Sequence, residues 1–286
     1  MIPNAFDYQR ASSLDEALGL VGTPGTKMIA GGMSLLPLMK LRLANPDKLV
    51  DIGRLKELKG VRRLPDGRLA IGALTTYSEL LESPAREYGL IRDVLPGIGD
   101  VQVRNRGTVG GAIAHSDPAS DLPAVLLALE AEIVARSKQG ERTIPADGFF
   151  QGSFSTALAD DEIVTEVRLM SPRDDAGSAF VSLSQKASGY SIVGVAAVII
   201  KEGGSAITKA MVALTGVGEA PYRAKAVEAG LIGNEGTDEA IISAASHATD
   251  GISVNSDIHA DREYRTAMAG VYTRRAISAA LVRLNE

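Results

Sequence analysis

The chain has 286 residues, a net charge of −5 and no cysteine. That length carries two domains and a sizeable core. The negative balance argues against nucleic acid as a partner, and the missing thiols exclude disulfides, thiolate catalysis and cysteine-ligated zinc or iron–sulfur clusters within this chain.

The opening "MIPNAFDYQR" has no basic leader before an apolar core, so no signal peptide is expected. The longest apolar run, Ile192 to Ile200, is far short of the roughly 20 residues of a transmembrane helix. A soluble, cytoplasmic protein with no membrane span is the expectation. There is no tryptophan. A site that grips a ring by stacking has few residues to use, whereas one that grips phosphates with backbone amides loses nothing.

In chain order, "SSLDEALGLV" reads as a helix capped by Ser12 or Ser13, with Glu16 placed for a capping box. "KMIAGG" is a buried strand and turn. "SLLPLMKLRLA" is a short helix that tolerates Pro37 only in its first turn. "KLVDIG" is another strand, so residues 1–55 form a small unit of strands and helices. "RLAIGALTTYSELL" is a strand followed by a helix capped by Thr75 or Thr76, and "YGLIRDVLPGIG" is helical up to Pro96-Gly97. Residues 102–121 read as a polar, glycine-containing loop. An apolar helix from Leu122 to Leu129 follows. "GERTIPADGFFQG" and "EIVTEVRL" close a second unit, residues 56–172, and Met170 to Ser178 reads as a linker. Beyond it, two long strands joined at Gly203-Gly204, two amphipathic helices and a long C-terminal helix make a further α+β domain, residues 178–286.

Two glycine turns stand out. The first is Ala30-Gly31-Gly32-Met33-Ser34, between a strand and a helix. A glycine pair there serves either a tight turn needing positive φ or a close phosphate. It is neither the Rossmann fingerprint nor a P-loop. The second lies in "RNRGTVGGAIAHSDPASDLP", where Gly107, Thr108, Gly110 and Gly111 precede His115, Ser116, Asp117, Ser120 and Asp121. The acidic and hydroxyl residues suit a helix start, but two glycine pairs and so many polar groups in one loop exceed what a turn needs. His115 is read as a structural or neutral hydrogen-bonding histidine, because no metal spacing accompanies it. No Gly-x-Ser-x-Gly elbow is present, so no catalytic residue and no metal ligand is assigned.

Together, "AGGMSLLPLMKLRLANP", "VRNRGTVGGAIAHSDPASDLPA" and "SGYSIVGVAAVI" resemble the FAD-binding medium subunit of the molybdenum hydroxylases, the carbon monoxide dehydrogenase and xanthine dehydrogenase family. The likeness runs over nearly the whole chain. It implies an α+β fold: an FAD-binding domain of the vanillyl-alcohol-oxidase (PCMH) type in two α/β subdomains, residues 1–172, then a C-terminal domain of the CO dehydrogenase flavoprotein type. It implies FAD as cofactor here, with molybdopterin on a large partner subunit and two [2Fe–2S] clusters on a small one. A dimer of such heterotrimers and an external electron acceptor follow from the same resemblance.

Carried over by motif, Lys27, Met28, Ile29, Ala30, Gly31, Gly32, Met33, Ser34 and Leu35 would wrap the FAD pyrophosphate. Thr108, Val109, Gly110, Gly111 and Ala112 would form the second half of the cradle, with Ala114, Ser116 and Asp117 beside it. Asp121 matches an aspartate near the adenosine part of FAD. Ile98, Gly99 and Val164 match positions lining the cofactor, and Tyr190 an aromatic residue against the isoalloxazine ring. The chain departs from the common pattern at Met33, where many members have His, Gln or Thr. It departs again at Ala112, where many have Asn, and at Ser188-Gly189-Tyr190, where many have Gly-Asp-Tyr or Gly-Asp-Phe. These departures define the alternative reading, an assembly subunit with a degenerate flavin site. Gly31→Asp is expected to separate the two readings, by placing a carboxylate at the pyrophosphate. A stand-alone FAD oxidase would need a substrate pocket and base of its own, and neither is evident.

Overall fold

The computed structural model describes residues 1–284. Its first unit alternates β1 (Asp7–Arg10), α1 (Leu14–Leu20), β2 (Thr26–Ile29), α2 (Leu35–Lys40) and β3 (Lys48–Asp51). β3 lies between β1 and β2 and pairs with both in parallel. α1 starts because the Ser13 hydroxyl accepts from the Glu16 amide. The Glu16 carboxylate does not close the expected box on Ser13; it accepts from the amide and hydroxyl of Ser12. Leu14, Ala17 and Leu18 of α1 join Val50 and Ile52 in a small core. Pro37 is the third residue of α2, where its missing N–H breaks no intrahelical bond.

The second unit contains β4 (Val61–Arg63), β5 (Leu69–Gly72), α3 (Tyr77–Leu81), α4 (Gly89–Val94), α5 (Val101–Arg106), α6 (Val109–His115) and α7 (Asp121–Ala128). It continues through β6 (Glu132–Ser137), β7 (Gly140–Pro145), β8 (Phe150–Gly152), β9 (Ser155–Thr156) and β10 (Ile163–Leu169). Five of these strands form an antiparallel sheet in the order β4-β5-β10-β6-β7, while β8 and β9 make a separate hairpin. α3 opens with a full capping box between Thr76 and Glu79.

Much of the stretch expected to be a polar loop is instead helical. The Asp100 side chain caps α5 by accepting from the Val103 amide, and the Thr108 hydroxyl caps α6 by accepting from Gly111. Two well-placed caps let two short helices form from a sequence whose composition suggests a loop.

The third unit has β11 (Ala176–Ser184), β12 (Ser191–Ile200), β13 (Lys209–Thr215), β14 (Tyr222–Arg223), α8 (Lys225–Leu231), α9 (Asp238–Ala245) and α10 (Arg262–Leu284). The sequence suggests two long strands before α8; the chain makes three, and the short β14 besides, in one antiparallel sheet ordered β11-β12-β13-β14. The additional reversal lies at residues 185–190. There the Gln185 side chain accepts from the amides of Ala187 and Ser188, and Gly189 takes φ +77°, which favours glycine.

α7 is buried along its whole length. It packs on β12 and β13, so Leu122 and Leu126 share one core with Ala196, Val198 and Met211. The other face of that sheet is covered by α10, through Ala269, Ala276, Ile277 and Ala280. Arg283 pairs with Asp93, and Lys209 with Glu130, tying the third unit to the second at the rim. No helix of the described residues is long and apolar enough to cross a membrane.

α10 lies so close to β11 that a β-carbon at Gly177 would stand 1.9 Å from the Ala280 carbonyl oxygen. Gly177→Ala is expected to lower stability by about 3 kcal/mol, read as a reduced urea midpoint for the full chain.

Candidate cofactor site

The two glycine turns meet. A β-carbon at Gly31 would stand 1.9 Å from the Arg106 carbonyl oxygen and 3.2 Å from the Gly107 nitrogen. Gly31 is therefore glycine because α5 ends against it. A side chain at this position would collide with backbone before reaching any ligand, so Gly31→Asp tests packing of the chain and cannot separate a flavin site from a scaffold.

The turns differ in what they offer. In the first, the amides of Gly31, Gly32, Met33 and Ser34 donate to nothing within the described residues, and Ser34 makes no side-chain cap bond. Gly32 has φ +77°, which lets the chain leave β2 and enter α2 with these donors on one turn. In the second, the amides of residues 109–112 are already engaged, while that of Thr108 donates to nothing within the described residues. Val109 donates to the Thr75 carbonyl at 3.0 Å and Gly110 to that of Ala73 at 2.7 Å. Gly111 donates to the Thr108 hydroxyl at 3.1 Å, and Ala112 to the Thr108 carbonyl at 3.0 Å. A β-carbon on Gly110 would lie 2.5 Å from that of Ala73, so this glycine also serves close packing. The expected two-part cradle of amides is unequal: residues 31–34 supply four free donors, and residues 107–111 supply a wall and the free Thr108 amide.

Lys27, Met28 and Ile29 lie on β2, with Lys27 exposed and Met28 packed towards the small core. Leu35 opens α2. Val164 is buried in the main core beside a β-bulge. Ala112 packs partly on that core, and Ala114 is exposed on α6. Ser116 is buried with φ +49° and ends α6, and the Asp117 carboxylate accepts from the Ala119 amide. His115 rests on Phe154, ring centroids 5.0 Å apart; burial lowers its pKa, which keeps the ring neutral at pH 7.

Gly99 lies against Gly189, next to Tyr190 on a loop of the third unit. A β-carbon at Gly189 would lie 3.7 Å from the Gly99 nitrogen, and the Arg104 guanidinium donates to the carbonyls of both Ile98 and Gly99. Tyr190 is 48% exposed. It borders a cleft of about 430 Å³, with Asp117 and Phe154 on one side and Ser191, Asn255 and Arg265 on the other.

Asp121 is the most unusual ionisable group. It is buried, and its Oδ1 has no hydrogen-bond partner. It faces Gly194 of β12, where a β-carbon would be 3.2 Å away. Burial pushes the carboxyl up to about 7, opposed by the nearby Ser191 hydroxyl, which also lacks a partner of good geometry. Burial likewise raises Tyr77 and Tyr190, with Asp121 adding to both shifts. Asp121 and Tyr190, assigned by resemblance to opposite parts of the flavin, are thus electrostatic neighbours. Sequence reasoning missed Ser191 and Arg106. The signal for Arg106 was its place immediately before the second glycine turn; Ser191 carried none.

The geometry offers donors suited to phosphate on the first turn and an unsatisfied acceptor at Asp121. Free amides and an uncommitted serine hydroxyl suit a pyrophosphate, and a buried carboxyl without a donor suits a ligand hydroxyl or ring N–H. FAD fits these residues. The family described as "FAD binding domain in molybdopterin dehydrogenase" matches residues 4–172, and "CO dehydrogenase flavoprotein C-terminal domain" matches residues 178–280. The carbon monoxide dehydrogenase medium chain of Hydrogenophaga pseudoflava is 39% identical, over 99% of each chain. The glyceraldehyde dehydrogenase medium chain of Sulfolobus acidocaldarius is also 39% identical, over 96% of this chain and 98% of that one. The solved carbon monoxide dehydrogenase of Hydrogenophaga pseudoflava lacking the Mo-pyranopterin moiety superposes with a TM-score of 0.95, at 40% identity over 99% of both chains. The chain belongs to the FAD-binding medium chains of the molybdenum hydroxylases, of the CO dehydrogenase type, and is an oxidoreductase component.

Asp121 gives a pH signature. A carboxyl that binds its proton more tightly in the folded than in the unfolded chain makes folding take up a proton between about pH 4 and 7. Stability falls as pH rises through that window, by on the order of 4 kcal/mol. Urea unfolding of the flavin-free chain at pH 5 and pH 8 is expected to show about 2.6 kcal/mol of this loss, and Asp121→Asn to remove most of it.

Proposed function

We propose that this chain is the electron-transfer subunit of a heterotrimeric molybdenum hydroxylase. Residues 1–172 bind the flavin and residues 178–286 complete its surroundings. The electrons arrive from [2Fe–2S] clusters on a small partner subunit and leave to an external acceptor, while a large molybdopterin-binding subunit carries out the hydroxylation. Bound FAD supplies the ability to take electrons one at a time and release them in pairs.

The chain's own residues bind and orient. The amides of residues 31–34 and the Ser34 hydroxyl hold the phosphates. Asp121 offers Oδ1 to a donor on the cofactor, and with its carboxyl pushed up to about 7 it holds a proton there in much of the flavin-free population near neutrality. Tyr190, on the loop that meets Gly99, flanks the cleft between the units. No acid–base residue is required of this subunit, because electron transfer needs position and potential rather than proton abstraction.

The observation that carries this reading is the row of unengaged amides at residues 31–34, facing the end of α5. It also speaks against a degenerate, purely scaffolding subunit. Met33 and Ala112 change side chains, whereas the backbone donors persist whatever those side chains are. The test is to purify the chain alone and with its partner subunits and record the flavin spectrum. An oxidised-flavin spectrum that bleaches on adding the enzyme's substrate is expected of the complex. A colourless chain that neither carries FAD nor rebinds it sinks the reading. Ser34→Ala removes one hydrogen bond to a charged oxygen and is expected to weaken FAD binding about 10-fold, measured by quenching of flavin fluorescence.

A further inference from the structure

Resting on the FAD reading above, we propose that the Arg106 guanidinium is the positive charge that clamps the cofactor's pyrophosphate against the free amides of residues 31–34. No other residue assigned to this site brings a cation onto the first turn. Amides alone are neutral donors, and a pyrophosphate brings about two negative charges that are costly to place beside an uncharged wall.

Arg106 holds Gly31 from two directions. Its carbonyl oxygen occupies the space a Gly31 β-carbon would need. Its guanidinium turns back over the same residue, with Nε and Nη2 each donating to the Gly31 carbonyl at 3.4 Å. Those two contacts are long and to a neutral acceptor. The side chain is exposed, and among the described residues it makes no ion pair. A guanidinium held loosely on a carbonyl of the turn that carries the four open amides is placed to exchange that weak contact for charge-assisted bonds to phosphate oxygens.

The neighbouring cations are less well placed. Arg104 is committed to the carbonyls of Ile98 and Gly99, at 3.1 and 2.7 Å. Lys27 is exposed on β2, before the turn begins. The engagement of the second turn adds weight. With the amides of residues 109–112 bonded within the chain, the side facing residues 31–34 keeps the Thr108 amide free, and its charged donor is Arg106. This assigns unlike roles to the two turns: one holds the phosphates by backbone, and the other by a side chain at the end of α5.

The experiment uses the full chain stripped of flavin and titrated with FAD at several ionic strengths, for wild type, Arg106→Gln and Arg106→Lys. Thermal unfolding of each flavin-free protein runs in parallel. Wild-type affinity is expected to fall as salt rises, because a charge pair at the protein surface is screened. Arg106→Gln is expected to bind FAD at least 10-fold more weakly, with a flatter salt dependence and an unchanged unfolding temperature. Arg106→Lys is expected to keep the salt dependence and lose part of the affinity, since it retains the charge without the two-pronged fork. FAD binding by Arg106→Gln with wild-type affinity and salt slope overturns the inference. If that variant does not fold, salt-independent binding by the wild type overturns it equally. Failure of wild type to bind FAD under any condition overturns the underlying flavin reading instead.

Discussion

Gly31 packs so tightly on the Arg106 carbonyl that no β-carbon fits between them, and the rest of the site's geometry depends on this contact. It is a contact between two backbones, possible only where a β-carbon is missing. It docks the first unit, with its parallel three-stranded sheet, onto the end of α5. The wall on the α5 side is fixed in turn by the backbone bonds from Val109 and Gly110 to the loop that follows β5. The open amides of residues 31–34 are therefore held against a rigid surface, although they lie in a turn. Preorganised donors of this kind bind without first paying the entropy of ordering the chain.

Two similar sequence motifs do different work here. Gly31-Gly32 leaves its amides free because the chain passes from a strand into a helix with no partner in between. Gly110-Gly111 lies inside α6, so its amides are already satisfied, and Gly110 is small because Ala73 presses on it. The substitutions at Met33 and Ala112 matter less than they look on paper. Neither alters which backbone groups are free.

What could be read in the sequence was local. Ser13 and Thr76 cap their helices as the spacing of hydroxyl and acidic residues indicates, and the strand–glycine–helix order around Gly31 is observed. The three quoted motifs pointed to the family because each keeps glycines and polar residues in a fixed order. What could not be read was set by distant parts of the chain. Gly31 is small because of Arg106, 75 positions later, and no local pattern reports that. The helices at residues 101–115 depend on caps whose geometry outweighs a loop-like composition. The reversal at residues 185–190 was hidden because an apolar pattern on either side reads as one continuous strand. Asp121 could be read as a helix-start residue and, by resemblance, as a cofactor neighbour; its lack of a partner depends on Gly194 and Ser191 of β12.

α7 is apolar on every side and buried throughout, pressed between the second unit and the β12–β13 face of the third. Residues 170–178 read as a linker, yet the units they join share this helix as common core. Nothing along that seam can act as a hinge without tearing apolar side chains into water. A flavin bound as proposed above would thereby be kept at a constant distance from whatever docks on either unit. Since tunnelling rates fall steeply with distance, the helix would then serve as a spacer as much as a filler of the core.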